Sequence, residues 1–189
     1  MHGSGVVVPV EGDHDFDVPY VTRVEGEGSL RLKVRGGKVT EARLAIFEAP
    51  RYFERLVVGR TGDEVLDIVA RICGICPIAY QMTAVRAFED LYEVSVDPQV
   101  RALRRLLYAG EWIQSHALHV YLLHAPDFLG YPSALAMAAD HREVVERGLR
   151  LKKLGNAIMA LLGGRAIHPV SMRIGGFSRA PRPAQLLAL

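Results

Sequence analysis

The sequence predicts an α+β fold that is mainly α: a small N-terminal antiparallel sheet or β-hairpin, followed by a bundle of long helices. Three observations carry this. Leu30, Leu32 and Val34 alternate with Arg31, Lys33 and Arg35, the period of two of a half-buried strand, and Gly36-Gly37 supplies a two-residue hairpin turn. From Asp97 to about His124, and again from His141 to Leu162, apolar residues recur at helical spacing. The breaks between helical runs are short, as in a bundle of directly connected neighbours.

Residues 1–19 read as an extended arm, with Gly3, Gly5, Pro9, Gly12 and Pro19 and an acidic cluster of Glu11, Asp13, Asp15 and Asp17. Residues 20–189 read as a single domain, with strands over 20–49, helices over 50–162 and a glycine-rich loop over 163–183. Val39 to Phe47 is the return strand of the hairpin. Gly62-Asp63-Glu64 opens an amphipathic run through Val65, Leu66, Ile68, Val69 and Ile72. Pro77 to Tyr92 is the next helix, with Met82, Val85, Ala87, Phe88 and Leu91 as its apolar positions. Asp97 caps the long helix and Pro98 takes its first position, where a missing N–H costs nothing. A break is expected from Ala125 to Tyr131, and Ser133 caps a short helix through Ala139. Pro181 to Pro183 breaks the chain again before a helix starts at Ala184.

The 189 residues suffice for a sizeable core, and a chain that is 50% hydrophobic and 23% charged is ordinary for a globular protein. A net charge of +2 is too small to point to nucleic acid or an anionic membrane. No apolar run reaches the ~18 residues of a spanning helix. No basic segment followed by an apolar stretch is read at the start, and two cysteines with none spare suit a reducing compartment, so a cytoplasmic location is expected.

Those two cysteines lie in Arg71-Ile72-Cys73-Gly74-Ile75-Cys76-Pro77, between two helical runs. Gly74 leaves the backbone free to bend, and Pro77 suits the first turn of the second helix. Cys76 then lies at a helix N-terminus, where the macrodipole favours a thiolate by about 0.3–1 kcal/mol. Two sulfurs on a tight turn converge on one point, which makes a claw for a soft metal or a redox dithiol. No second C-x-x-C and no H-x-x-x-H completes a zinc site, and helical flanks do not suit a thioredoxin motif. On the residues alone, metal or redox chemistry and a pair of structural cysteines both stay open. His116, His119 and His124 read as packed, hydrogen-bonded histidines, since no carboxylate or further His stands at helical spacing to complete a site. The loop Gly163-Gly164-Arg165-Ala166-Ile167-His168-Pro169 is neither a Walker loop nor a dinucleotide fingerprint.

The longer string R-I-C-G-I-C-P-I-A-Y-Q-M-T-A-V-R-A-F-E-D, residues 71–90, resembles the first cysteine motif of the large, catalytic subunit of nickel–iron hydrogenases. It looks most like the cytoplasmic, cofactor-coupled branch, which includes NAD(P)-linked enzymes. Arg23-Val24-Glu25-Gly26 resembles the family's R-x-E-G, Arg51-Tyr52-Phe53-Glu54 its R-x-[FL]-E, and the 163–169 loop its G-G-[KR]-x-x-H-P. The likeness covers about residues 20–180. It implies a nickel–iron centre with diatomic ligands on the iron, with Cys73 on nickel and Cys76 bridging nickel and iron. It implies that Glu25 relays protons, that Glu54 binds magnesium, and that His168 supports the centre. The implied reaction is H2 ⇌ 2H⁺ + 2e⁻, with electrons leaving through an iron–sulfur small subunit and with NAD(P)-linked diaphorase subunits as further partners. Two departures stand out: Tyr80 replaces a common His, and Ser115 a common Asp. The family's second cysteine pair has no counterpart, so the chain is expected to be the N-terminal portion of a longer subunit, unable to assemble the cofactor alone. The rival readings are a relative of the quinone-site subunit of respiratory complex I, which lacks these cysteines, and a metal-free interaction module.

Overall fold

The computed structural model describes residues 12–22, 26–47, 50–187 and 189. Within the span read as one domain, the chain forms two compact units, Met1–Leu56 and Val57–Leu189.

The first unit is a three-stranded antiparallel sheet in the order β1 (His14–Val18), β2 (Gly28–Arg35), β3 (Lys38–Ile46). The expected hairpin is present: Gly36 and Gly37 both take positive φ, which a tight turn between right-twisted strands requires. One extra residue, Thr40, bulges where the register passes from Lys33↔Glu41 to Val34↔Val39. β1 corrects the sequence reading, which placed 14–18 in an extended arm. Its reason lies in a short alternation completed by the partner strand. Phe16 and Val18 stand opposite Leu32 and Leu30, while Asp15 and Asp17 reach Arg35 at 2.6 Å and Arg31 at 3.1 Å. Such exposed pairs add little to stability, but their placement agrees with this register. Residues 1–11 of the arm lie outside the described residues.

A short helix, α1 (Arg51–Val57), follows the sheet in the chain. After it come α2 (Gly62–Val69), α3 (Pro77–Leu91), α4 (Pro98–Ala117), a π-helical turn Leu118–His124, α5 (Ala125–Leu129), α6 (Ala134–Met137), α7 (Arg142–Gly163), the strands β4 (Met172–Arg173) and β5 (Gly176–Phe177), and α8 (Pro183–Leu187). Thr61 and Glu64 close a reciprocal capping box on α2. Asp97 accepts the Gln99 N–H at 2.7 Å and starts α4, as expected. The core of the second unit joins Leu66 of α2, Ile78 and Val85 of α3, Leu107 of α4, Ile158, Met159 and Leu162 of α7, and Met172 of β4.

The structure differs from expectation at two further places. The long helix does not stop before Ala125: it widens by one residue, so that the Ala125 N–H reaches Val120 O, and then continues through α5 to Gly130 at φ +78°. Pro126 explains this, because it has no N–H to give to the turn before it and its ring crowds a regular α-helical carbonyl. The glycine-rich segment is also not all loop. Its 172–177 portion is a small antiparallel hairpin tied to the bundle by a buried ion pair: Arg104 of α4 holds Glu89 of α3 at 2.6 Å, Glu89 accepts the Gly175 N–H, and Arg104 donates to Arg173 O.

Candidate metal centre

The cysteine turn sits where α2 ends and α3 begins. Ala70 caps α2, the Ile72 N–H closes back onto Val69 O, and Cys76 is the N-cap residue of α3 with Pro77 first in the helix. Cys73 and Cys76 have their Cα atoms 5.4 Å apart and are linked by a disulfide. The Cys76 N–H donates to Cys73 Sγ at 3.2 Å. The sulfurs thus meet at one point, and reduction by two electrons and two protons would leave two thiols facing it. Gly74, expected to give the bend its freedom, has no positive φ and has open space where a Cβ would stand. The turn does not demand glycine there on steric grounds.

As a donor set the pair fits a soft cation such as nickel, but it is only part of a coordination shell. Among the described residues, no group of three or more His, Cys, Asp or Glu side chains gathers that could hold an ion. Glu25 lies outside the described residues. Glu54 stands exposed in the first turn of α1. His168 comes to the end of α2: its Nδ1 lies 2.7 Å from Ala70 O, three residues before Cys73. A carbonyl can only accept, so Nδ1 carries the hydrogen, and in the neutral ring Nε2 is left as the acceptor. His168 also takes a positive φ of 49°, rare for a residue with a side chain. Its loop is pinned by Gln81 of α3, whose buried Nε2 donates to Pro169 O at 2.8 Å and Leu66 O at 3.2 Å. Tyr80 is 38% exposed. His119 and His124 bond the carbonyls of Ser115 and His119 through Nδ1, at 2.7 and 2.8 Å, as packed histidines do.

Sequence reasoning missed three side chains under the turn. Glu111 of α4, 2% exposed, accepts the N–H groups of Ile78 (2.5 Å) and Ala79 (3.1 Å) in the first turn of α3. Cys76 gives that helix no side-chain cap, so Glu111 caps it from a neighbouring helix. Burial pushes the Glu111 carboxyl up to about 7, against the pull of the two N–H groups. One turn on, Gln114 donates to Ile75 O at 2.6 Å and accepts from Lys152 of α7 at 2.8 Å. Burial lowers the Lys152 pKa. The signal was present: Glu111 and Gln114 interrupt, three residues apart, the apolar stripe that runs through Leu107 and Ala117.

The convergent cysteine pair at the start of α3, with the His168 loop beside it, is set in a helix bundle of the hydrogenase large-subunit fold. The chain belongs to the nickel-dependent hydrogenase family, whose profile matches residues 51–150. It is 47% identical to the alpha subunit of sulfhydrogenase 2 from Pyrococcus furiosus over 87% of its length, and 40% identical to the alpha subunit of sulfhydrogenase 1 from the same organism over 97%. It covers 40% and 41% of those relatives, so it spans about two fifths of their length. Among solved structures it is similar to an NAD⁺-reducing nickel–iron hydrogenase in the H2-reduced state, with a TM-score of 0.76 and 33% identity, covering 94% of this chain and 41% of that one. A nickel–iron–selenium hydrogenase from D. vulgaris Hildenborough gives a TM-score of 0.74 at 29% identity, covering 94% and 40%.

Proposed function

We propose that this chain is part of the catalytic subunit of a nickel–iron hydrogenase that oxidises H2 reversibly. The observation that carries the reading is the meeting of the Cys73 and Cys76 sulfurs at the start of α3, in a chain of the nickel-dependent hydrogenase family. When bound there, the nickel–iron centre would supply heterolytic cleavage of H2, the net products of the oxidation being two protons and two electrons. Cys73 would hold nickel, and Cys76 both nickel and iron. Glu25 would take up a proton at its carboxylate. His168, with Nδ1 committed to Ala70 O, would support the centre through Nε2, the acceptor of the neutral ring. Glu54 would hold magnesium through its carboxylate oxygens. Electrons would leave through an iron–sulfur small subunit, coupled to NAD(P)-linked diaphorase subunits as in the branch it resembles. Among the described residues no helix is long and apolar enough to cross a membrane, and the cytoplasm is the proposed location.

The test is made on the complete enzyme that contains this chain, matured in its host. Nickel is expected in the enzyme, with one iron per nickel beyond the iron of its iron–sulfur clusters, and Cys73→Ser is expected to remove nickel and H2 uptake together. Retention of full H2 uptake by Cys73→Ser would overturn the reading.

A further inference from the structure

The backbone on either side of Cys76 is gripped by side chains that come from elsewhere in the bundle. Ile75 O accepts from Gln114 Nε2 at 2.6 Å. The Cys76 N–H is turned to Cys73 Sγ. Pro77 has no N–H to place. The next two N–H groups, of Ile78 and Ala79, both end on the Glu111 carboxylate. Glu111 and Gln114 lie one turn apart on α4, so one face of one helix holds the peptide groups before and after the sulfur. That face is itself located from behind. Lys152 of α7 donates to Gln114 Oε1, which turns the amide so that its NH2 faces Ile75. Gly155 lets α7 come close enough to do this: a Cβ on it would stand 2.5 Å from the Gln114 backbone nitrogen and 2.8 Å from the Gln114 Cβ.

We infer that Glu111 and Gln114 are positioning residues for Cys76, fixing the direction of its sulfur through the backbone on both sides of it. The inference rests on the proposed nickel–iron reading for what Cys76 binds. A helix N-terminus is ordinarily capped by the side chain of its own N-cap residue. Here that side chain is wanted for the metal, and capping passes to Glu111, so the Cys76 sulfur has no part in capping the helix. A carboxylate serves this better than an amide, because both of its oxygens accept and two N–H groups need an acceptor. Groups that orient a metal ligand without touching the metal commonly change affinity or activity by about 10–100-fold when replaced.

The test replaces Glu111→Gln and, separately, Gln114→Glu in the complete enzyme. Each is close in size to the residue it replaces, and each sets like against like: an NH2 against an N–H, or a carboxylate against Ile75 O. Infrared bands of the diatomic ligands on iron, nickel content and H2 uptake are read together. The expected result is a folded enzyme whose bands are shifted and whose uptake falls about tenfold or more. Loss of nickel from a subunit that is still folded supports the inference equally. Glu89→Gln, which breaks the buried Arg104 pair instead, is expected to lower the Tm while leaving the bands in place. The inference is overturned if both variants keep the parent's bands and uptake, or if both only unfold the subunit, the result of a purely structural clamp. An unsubstituted enzyme without nickel would overturn the hydrogenase reading itself, whatever the variants do.

Discussion

A carboxylate buried at the first turn of a helix, with two N–H donors and no cation bonded to it, carries a pH dependence whose sign can be worked out. In the folded chain burial pushes Glu111 up to about 7, whereas an unfolded Glu titrates near ~4.3. Between these values the folded form keeps a proton that the unfolded form releases. The Glu111 contribution to stability is therefore fully present below the lower value and is lost as pH rises through about 7. The urea midpoint of the parent is expected to fall between about pH 5 and about pH 8, and that of Glu111→Gln to fall less over the same range. Equal slopes in the two proteins would show that Glu111 does not titrate there. Glu89 behaves in the opposite sense. Burial works against its charge, but the Arg104 guanidinium and the Gly175 N–H outweigh it and hold the carboxyl below the usual range. Two buried glutamates on adjacent helices thus differ because one has an arginine and the other has only dipoles.

At the scale of elements, the site depends on how closely α4 and α7 approach. Gly110 and Gly155 are the contact points, and Gly148 gives α7 the same closeness to Tyr121 in the π-helical turn. A Cβ on Gly155 would meet Gly110 O and Gln114 N, both at 2.5 Å, and these are backbone atoms that cannot turn aside. Gly155→Ala is expected to force the helices apart and cost about 1–3 kcal/mol, read as a lower urea midpoint. It should also loosen Gln114, so H2 uptake of the complete enzyme should drop alongside stability. An alanine variant as stable as the parent would mean that α7 shifts without cost. The π-helical turn belongs to this scale too. Pro126 has no N–H to offer, and the widened turn carries α4 past it into α5 rather than ending the helix.

For the whole molecule, the arithmetic of donors decides what this chain can do. Two sulfurs converge, and no further cluster of ligating side chains joins them among the described residues. The relatives it matches are more than twice as long. Under the hydrogenase reading the remaining donors come from outside these 189 residues. The reduced chain alone is therefore expected to bind nickel far more weakly than the complete subunit, by equilibrium dialysis against nickel. Equal affinity would mean that the two thiolates suffice.

The elements were legible in the sequence wherever the signal was local. Alternation at 30–35, the Gly36-Gly37 turn, Asp97-Pro98 and the cysteine spacing each act within a few residues, and each appears in the structure where it was read. The acidic segment 14–18 was less legible, because a strand that short has its reason in the partner it meets. Glu111, Gln114, Lys152 and the Arg104–Glu89 pair could not be assigned a role from sequence, since their partners lie 15 to 39 residues away or belong to another helix's backbone. The sequence by itself determined the first hairpin, the order of the main helices, the family, and the pair of sulfurs. Only the tertiary structure decided which buried side chains take hold of the backbone around them. Local chemistry is written into neighbouring residues, whereas hydrogen bonds between elements exist only once packing has brought the elements together.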